Sequence, residues 1–227
     1  YYYSGEIYYG LNDGEHFFYS INKALSYLNQ AEEWDLMTRC YNYMGIAALN
    51  RGNIPIALDY YLNGLNYCET YHFSTQSIVF NVNLGVLYYE CGRYADAQET
   101  LEKAYDLMMK NPIREQYDTY MFCIYSNLAR ALAQQGKLDR VKEIIERVHK
   151  DHWDGGQVLD KVSFSCVEVL YYHRMGMEKE RDEKSRLIME MMPENLSVLD
   201  SFFDFYDCCR VLLEAGKDEA FWHIVDI

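Results

Sequence analysis

Five glycines set the frame of this chain. Gly52, Gly92, Gly136, Gly176 and Gly216 follow one another at intervals of 40, 44, 40 and 40 residues. Apolar residues recur between them at helical spacing, so each glycine predicts the left-handed residue that ends one helix and turns the chain into the next. A period of this length describes a stack of helix–turn–helix units, each burying its apolar face only against its neighbours. The expected fold is therefore all-α.

The clearest unit runs from Asn81 to Ala104. It reads Leu84-Gly85-x2-Tyr88, then the turn at Gly92, then Ala97-x3-Leu101-x2-Ala104. Gly85 and Ala97 lack bulk where two antiparallel helices must cross closely, while Leu84, Tyr88 and Leu101 fill the space beside the crossing. Tyr41-x2-Met44-Gly45 with Ala57-x3-Tyr61 repeats the pattern, as does Tyr125-x2-Leu128-Ala129 with Val141-x3-Ile145. Two later units are weaker: Ser165 to Gly176 lacks the Leu-Gly pair, and Cys208-Cys209 stands in its place before Gly216. An earlier unit is read from Tyr1 to Gly14 followed by Ala24-x3-Leu28-x2-Ala31, with a longer turn.

This pattern resembles the tetratricopeptide repeat, whose signature is Leu-Gly-x2-Tyr followed by Ala-x3-Phe in a second helix. The resemblance covers nearly the whole chain and implies a single right-handed superhelical solenoid of antiparallel helix pairs. Six repeats are expected, approximately 1–34, 35–73, 74–112, 113–155, 156–195 and a truncated 196–227. A period near 40 exceeds the family's usual length of about 34, so the helices should run to roughly 16–18 residues, or about 25 Å. The four extra residues between Gly92 and Gly136 are assigned to the connection around Asn111-Pro112, and Pro193 and Gly155-Gly156 mark other turns between repeats.

Composition limits the partners. A formal net charge of -14 argues against nucleic acid and anionic membrane, because phosphate binding needs clustered Lys and Arg. Seven cysteines without CxxC spacing indicate reduced thiols and a cytoplasmic setting. No apolar run is long enough to span a bilayer. The start at Tyr1 without methionine, and a tail from Phe221 to Ile227 with no polar closing element, predict a piece of a longer polypeptide.

The resemblance further implies that the first helix of each pair lines a concave groove. By register, the candidate ligand-binding residues are Asn42, Tyr43, Val82, Asn83, Val86, Glu90, Asn127, Arg130 and Arg210. Tyr2, Tyr3, Glu6 and Tyr9 face the groove in the first repeat, and Arg39, Gln134, Arg174 and Glu214 in others. Asn83 and Asn127 each precede the Leu-Gly or Leu-Ala pair. They offer amides that can pair with an extended peptide backbone or, equally, cap neighbouring groups. Arg130 and Arg210 could grip a carboxylate terminus, or pair with groove acids such as Glu90 and Asp207; the lysines of the carboxylate-clamp pattern are missing, Asn42 and Tyr43 standing there.

No catalytic constellation is evident: there is no Gly-rich phosphate loop, GxSxG or HExxH, and Glu90, Arg130 and Asp207 are spread over different repeats. No cofactor or metal is expected. His149-x2-His152 lacks a third ligand and falls near a helix end. The expectation is a non-catalytic module for a protein, peptide or small effector, with a possible homodimer through its terminal repeats. Extended acidic repeats resemble the sensory regions of larger bacterial signalling proteins, such as those placed before a diguanylate cyclase domain. The alternatives are the peptide-pheromone-receptor transcription regulators and a self-assembling scaffold.

Overall fold

The computed structural model describes residues 1–11, 13–110, 117–191 and 209–225. The fold is all-helical, with helices packed consecutively in adjacent pairs as in a tetratricopeptide-type helical solenoid. The chain forms two compact units, Tyr1–Ile113 and Arg114–Ile227.

In the first unit, α1 (Tyr2–Gly10) pairs with α2 (Gly14–Ala31), α3 (Trp34–Asn50) with α4 (Ile54–Tyr71), and α5 (Ser74–Glu90) with α6 (Tyr94–Lys110). The second unit contains α7 (Tyr117–Gln134), α8 (Leu138–Asp151), a 3-10 turn (Trp153–Gly155), α9 (Val158–Met175), α10 (Glu178–Met191), α11 described over 209–214, and α12 (Asp218–Val225). The helices from α2 to α7, and α9, have 17 or 18 residues, as the period requires, whereas α8 and α10 have 14.

All five ladder glycines adopt φ between +67° and +71°. Around Gly52, its N–H donates to the Leu49 carbonyl (2.8 Å) and the Asn53 N–H to the Ala48 carbonyl (2.9 Å), so the carbonyls left over at the helix end are satisfied. The same two bonds recur at the other four. Two of the opposite connections are tighter and use no glycine: Glu32 and His72 take the left-handed conformation (φ 59° and 60°) between α2 and α3 and between α4 and α5. Six residues separate α6 from α7 where two separate α4 from α5, which puts the four additional residues at 111–116. The connection assigned to Asn111-Pro112, and Pro193, lie outside the described residues. Gly155-Gly156 does mark the turn from α8 to α9.

The first repeat differs from its sequence reading in two respects. Its turn is no longer than the others, since three residues separate α1 from α2 just as three separate α3 from α4. In its second helix Phe17 and Ile21, both buried, stand at the places of Ala97 and Leu101, so Ala24, also buried, takes the place of Ala104 and Leu28 is only half-buried. The reason is Gly5, which stands 40 residues before Gly45 and 80 before Gly85. A Cβ on each of these three glycines would meet a side chain 16 residues on, at 2.4 Å from Ile21, 2.2 Å from Tyr61 and 2.5 Å from Leu101. Close crossing at a small residue thus fixes the pairing of all three helix pairs of the first unit. In the second unit the same register holds Ala129 with Ile145 and Val169 with Ser185, all buried.

Candidate interaction site

One face of α3 and α5 in the first unit brings polar side chains of neighbouring repeats into direct contact, because residues i, i+4 and i+7 share a helix face. Asn83 Nδ2 donates to Asn42 Oδ1 at 2.6 Å. Half a helix away, Gln76 donates to Asp35, which also accepts from Arg39 Nε at 3.1 Å. At the α1 side, the hydroxyls of Tyr2 and Tyr43 both donate to Glu6 Oε1, at 2.7 and 3.1 Å. Burial, followed by Glu6, pushes the Tyr43 hydroxyl up to about 12, so it stays a donor. Asn42, Tyr43, Asn83, Val86 and Glu90 are half-buried, while Val82 is buried. The amide ladder therefore joins Asn83 to Asn42, diagonally across one repeat.

In the second unit, Asn127 is buried and donates to the Cys123 carbonyl of its own helix at 2.9 Å. Arg130, only 1 % exposed, stands in the register of Ile46 and Val86. Its guanidinium donates to Ser163 Oγ across α7 and α9 at 3.1 Å and reaches Asn127 Oδ1 at 3.5 Å. This places it inside the helix contact, away from the surface a peptide carboxylate would approach. Arg210 is half-buried, and Asp207 lies outside the described residues. Thr119 donates to Asp160 at 3.1 Å, the same diagonal as Asp35 and Gln76 moved on by 84 residues. Near the ends of these helices Arg174 bridges Gln134, at 3.3 Å, and Glu214.

The two histidines of His149-x2-His152 diverge. His149 Nε2 lies 2.9 Å from Glu168 Oε1, and His152 Nδ1 lies 3.0 Å from Asp118 Oδ1. Among the described residues no three His, Cys, Asp or Glu side chains are grouped to hold a metal ion. Glu168 is a buried charge that the residue pattern alone did not single out. It is 1 % exposed, in the slot filled by Met44, Leu84 and Leu128 in earlier repeats, and Lys184 Nζ reaches its second oxygen at 2.9 Å. The missing Leu-Gly pair at Glu168-Val169 was the available signal. Trp153 stands against both partners of Glu168, with the His149 ring 4.3 Å from its own and Lys184, together with Lys161, over its ring.

Among the described residues no helix is long and apolar enough to cross a membrane. No curated protein matches the chain. The family model for the tetratricopeptide repeat matches residues 81–103, which span α5 into α6, and 124–147, which span α7 into α8. These are the segments that carry Leu84-Gly85 and Leu128-Ala129. These two segments thus match the tetratricopeptide repeat, a repeat of protein-interaction modules, and the consecutive helix pairs of both units are consistent with a helical solenoid of that type.

Proposed function

We propose that the chain is a non-catalytic interaction module that takes an extended peptide or protein segment along the α1, α3 and α5 face of the first unit. The observation that carries this reading is the half-buried Asn42–Asn83 pair, two amides held on a continuous face, each with hydrogen-bonding capacity left for a backbone that lies across them. As its resemblance to extended acidic repeats implies, the module serves as the cytoplasmic regulatory region of a larger bacterial signalling protein, with a diguanylate cyclase as the leading output. A peptide-pheromone-receptor transcription regulator is the runner-up, and a DNA-binding neighbour in the open reading frame would select it.

Peptides chosen by display against the 227-residue chain test the groove. Asn42→Ala with Asn83→Ala should weaken their binding at least tenfold by calorimetry, roughly the 1.4 kcal/mol of one good polar contact. Unchanged affinity would put the partner on another surface.

A second reading, self-association, is favoured by α1. Tyr3, Ile7 and Leu11 form an apolar stripe on it, and Ile7 is 62 % exposed. In each later repeat that register is buried, as Ala47, Leu87, Ala131, Tyr171 and Val211. Ala47 packs on Phe17, Ile21 and Ala24 of the preceding repeat, so the stripe on α1 is shaped to receive another helix. Light scattering should find a concentration-dependent dimer of the chain that Ile7→Asp abolishes. A monomer at every concentration would end this reading.

A further inference from the structure

We propose that Glu6 and the tyrosines packed around it form a site for one cationic side chain of a basic peptide segment. The inference rests on the groove reading and names the chemistry of what the groove takes.

Glu6 is half-buried, and Tyr2 and Tyr43 direct both their hydroxyls to the same oxygen, Oε1. Among the described residues no N–H or O–H reaches Oε2, and Glu6 joins no ion pair. The nearby guanidinium of Arg39 is engaged with Asp35 at 3.1 Å. One carboxylate oxygen is therefore left as an acceptor in a half-buried setting that solvent screens only partly. An incoming ammonium or guanidinium gains a charge-assisted hydrogen bond there.

The surrounding rings suit the same guest. Tyr9 and Tyr2 tilt against Tyr43 with ring centroids 5.5 and 6.3 Å apart, and Tyr3, largely exposed, stands edge-on to Tyr2 at 5.2 Å. Aromatic faces beside a carboxylate attract cations through the ring quadrupole and repel anions. Tyr2 and Tyr43 are held as neutral phenols by burial and by Glu6, so they add no competing charge. A net charge of -14 draws basic segments to the whole molecule; what distinguishes Glu6 is its fixed geometry.

The probe is fluorescein-labelled acetyl-tetralysine amide, titrated by anisotropy against the 227-residue chain at about 150 mM salt to suppress diffuse attraction. Glu6→Gln, which keeps the acceptor for both tyrosines, should weaken binding at least tenfold, and Glu99→Gln on the exposed side of α6 should leave it within twofold. Melting curves that match the parent chain establish that neither change unfolds it, and tetra-arginine in place of tetralysine tells guanidinium from ammonium. No measurable binding, equal binding by the Glu6→Gln chain, or equal losses in both variants overturns the site. Loss through Asn42→Ala with Asn83→Ala, alongside an indifferent Glu6→Gln, would leave the groove standing and remove only the cation site.

Discussion

Gly45→Ala is expected to destabilise the chain by about 2 kcal/mol in urea unfolding, although alanine is the better helix former. The gain in helix propensity is about 1 kcal/mol. Against it stands the ring of Tyr61, which is 1 % exposed and would lie 2.2 Å from the new methyl at Cε1. An aromatic ring packed on all sides cannot swing clear, so the helices must separate, and overpacking of this kind costs roughly 1–3 kcal/mol or more. The chain itself indicates the remedy. One register further into the solenoid Gly85 faces Leu101, and at the next Ala129 shares the register with Ile145. Gly45→Ala combined with Tyr61→Ile should therefore lose at least about 1 kcal/mol less than the sum of the two single changes. Simple additivity, or a more stable Gly45→Ala chain, would show that the close crossing does not set the pairing of α3 and α4.

That contrast between glycine, alanine and their neighbours also separates the parts of the fold that residues alone reveal from those they do not. The turn glycines were legible because glycine recurring at a fixed period between helices serves chiefly to supply a positive φ, and all five take that conformation. Gly5 carries the same period but lies in a repeat where Tyr8 and Tyr9 blur the pattern. Ala24-x3-Leu28 then offered a plausible frame further along the helix than Phe17-x3-Ile21, which in fact occupies the crossing with Gly5. The polar face was legible in outline only. Asn42, Tyr43 and Asn83 could be assigned to one face from helical periodicity, yet their partners depend on how far α5 is offset along α3. That offset makes Asn83 meet Asn42 and Gln76 meet Asp35, each pair 41 residues apart. Neither helix contains the information by itself. Arg130 departs for a related reason: a register left half-buried in two repeats, at Ile46 and Val86, can be closed in a third, where Ser163 of α9 accepts from its guanidinium.

Glu168 presents the opposite problem, a carboxylate in a place built for a methionine or leucine side chain, and its energetics can be separated by two substitutions. Lys184→Met should cost about 3 kcal/mol, because it strips the buried carboxylate of its ammonium partner and leaves a charge without adequate compensation. The His149 contact from α8 remains in that variant, at 2.9 Å, and limits the loss. Glu168→Leu should stay within about 1 kcal/mol of the parent chain, since Lys184, unlike Glu168, retains some exposure and can turn to water. In the doubly changed chain the cost of Lys184→Met should largely disappear. Lys161→Met supplies the comparison: it removes an amine that also lies over Trp153 but forms no pair with Glu168, and it should cost less than about 1 kcal/mol. If Lys184→Met and Lys161→Met prove equal, the stabilisation comes from the indole, and the carboxylate is not the organising charge between α8, α9 and α10. If instead only the Lys184 change is costly and Glu168→Leu is silent, the ionic group adds little net stability. It then serves chiefly as a polar tie between α8, α9 and α10, in a slot that Met44, Leu84 and Leu128 fill with apolar side chains in the earlier repeats.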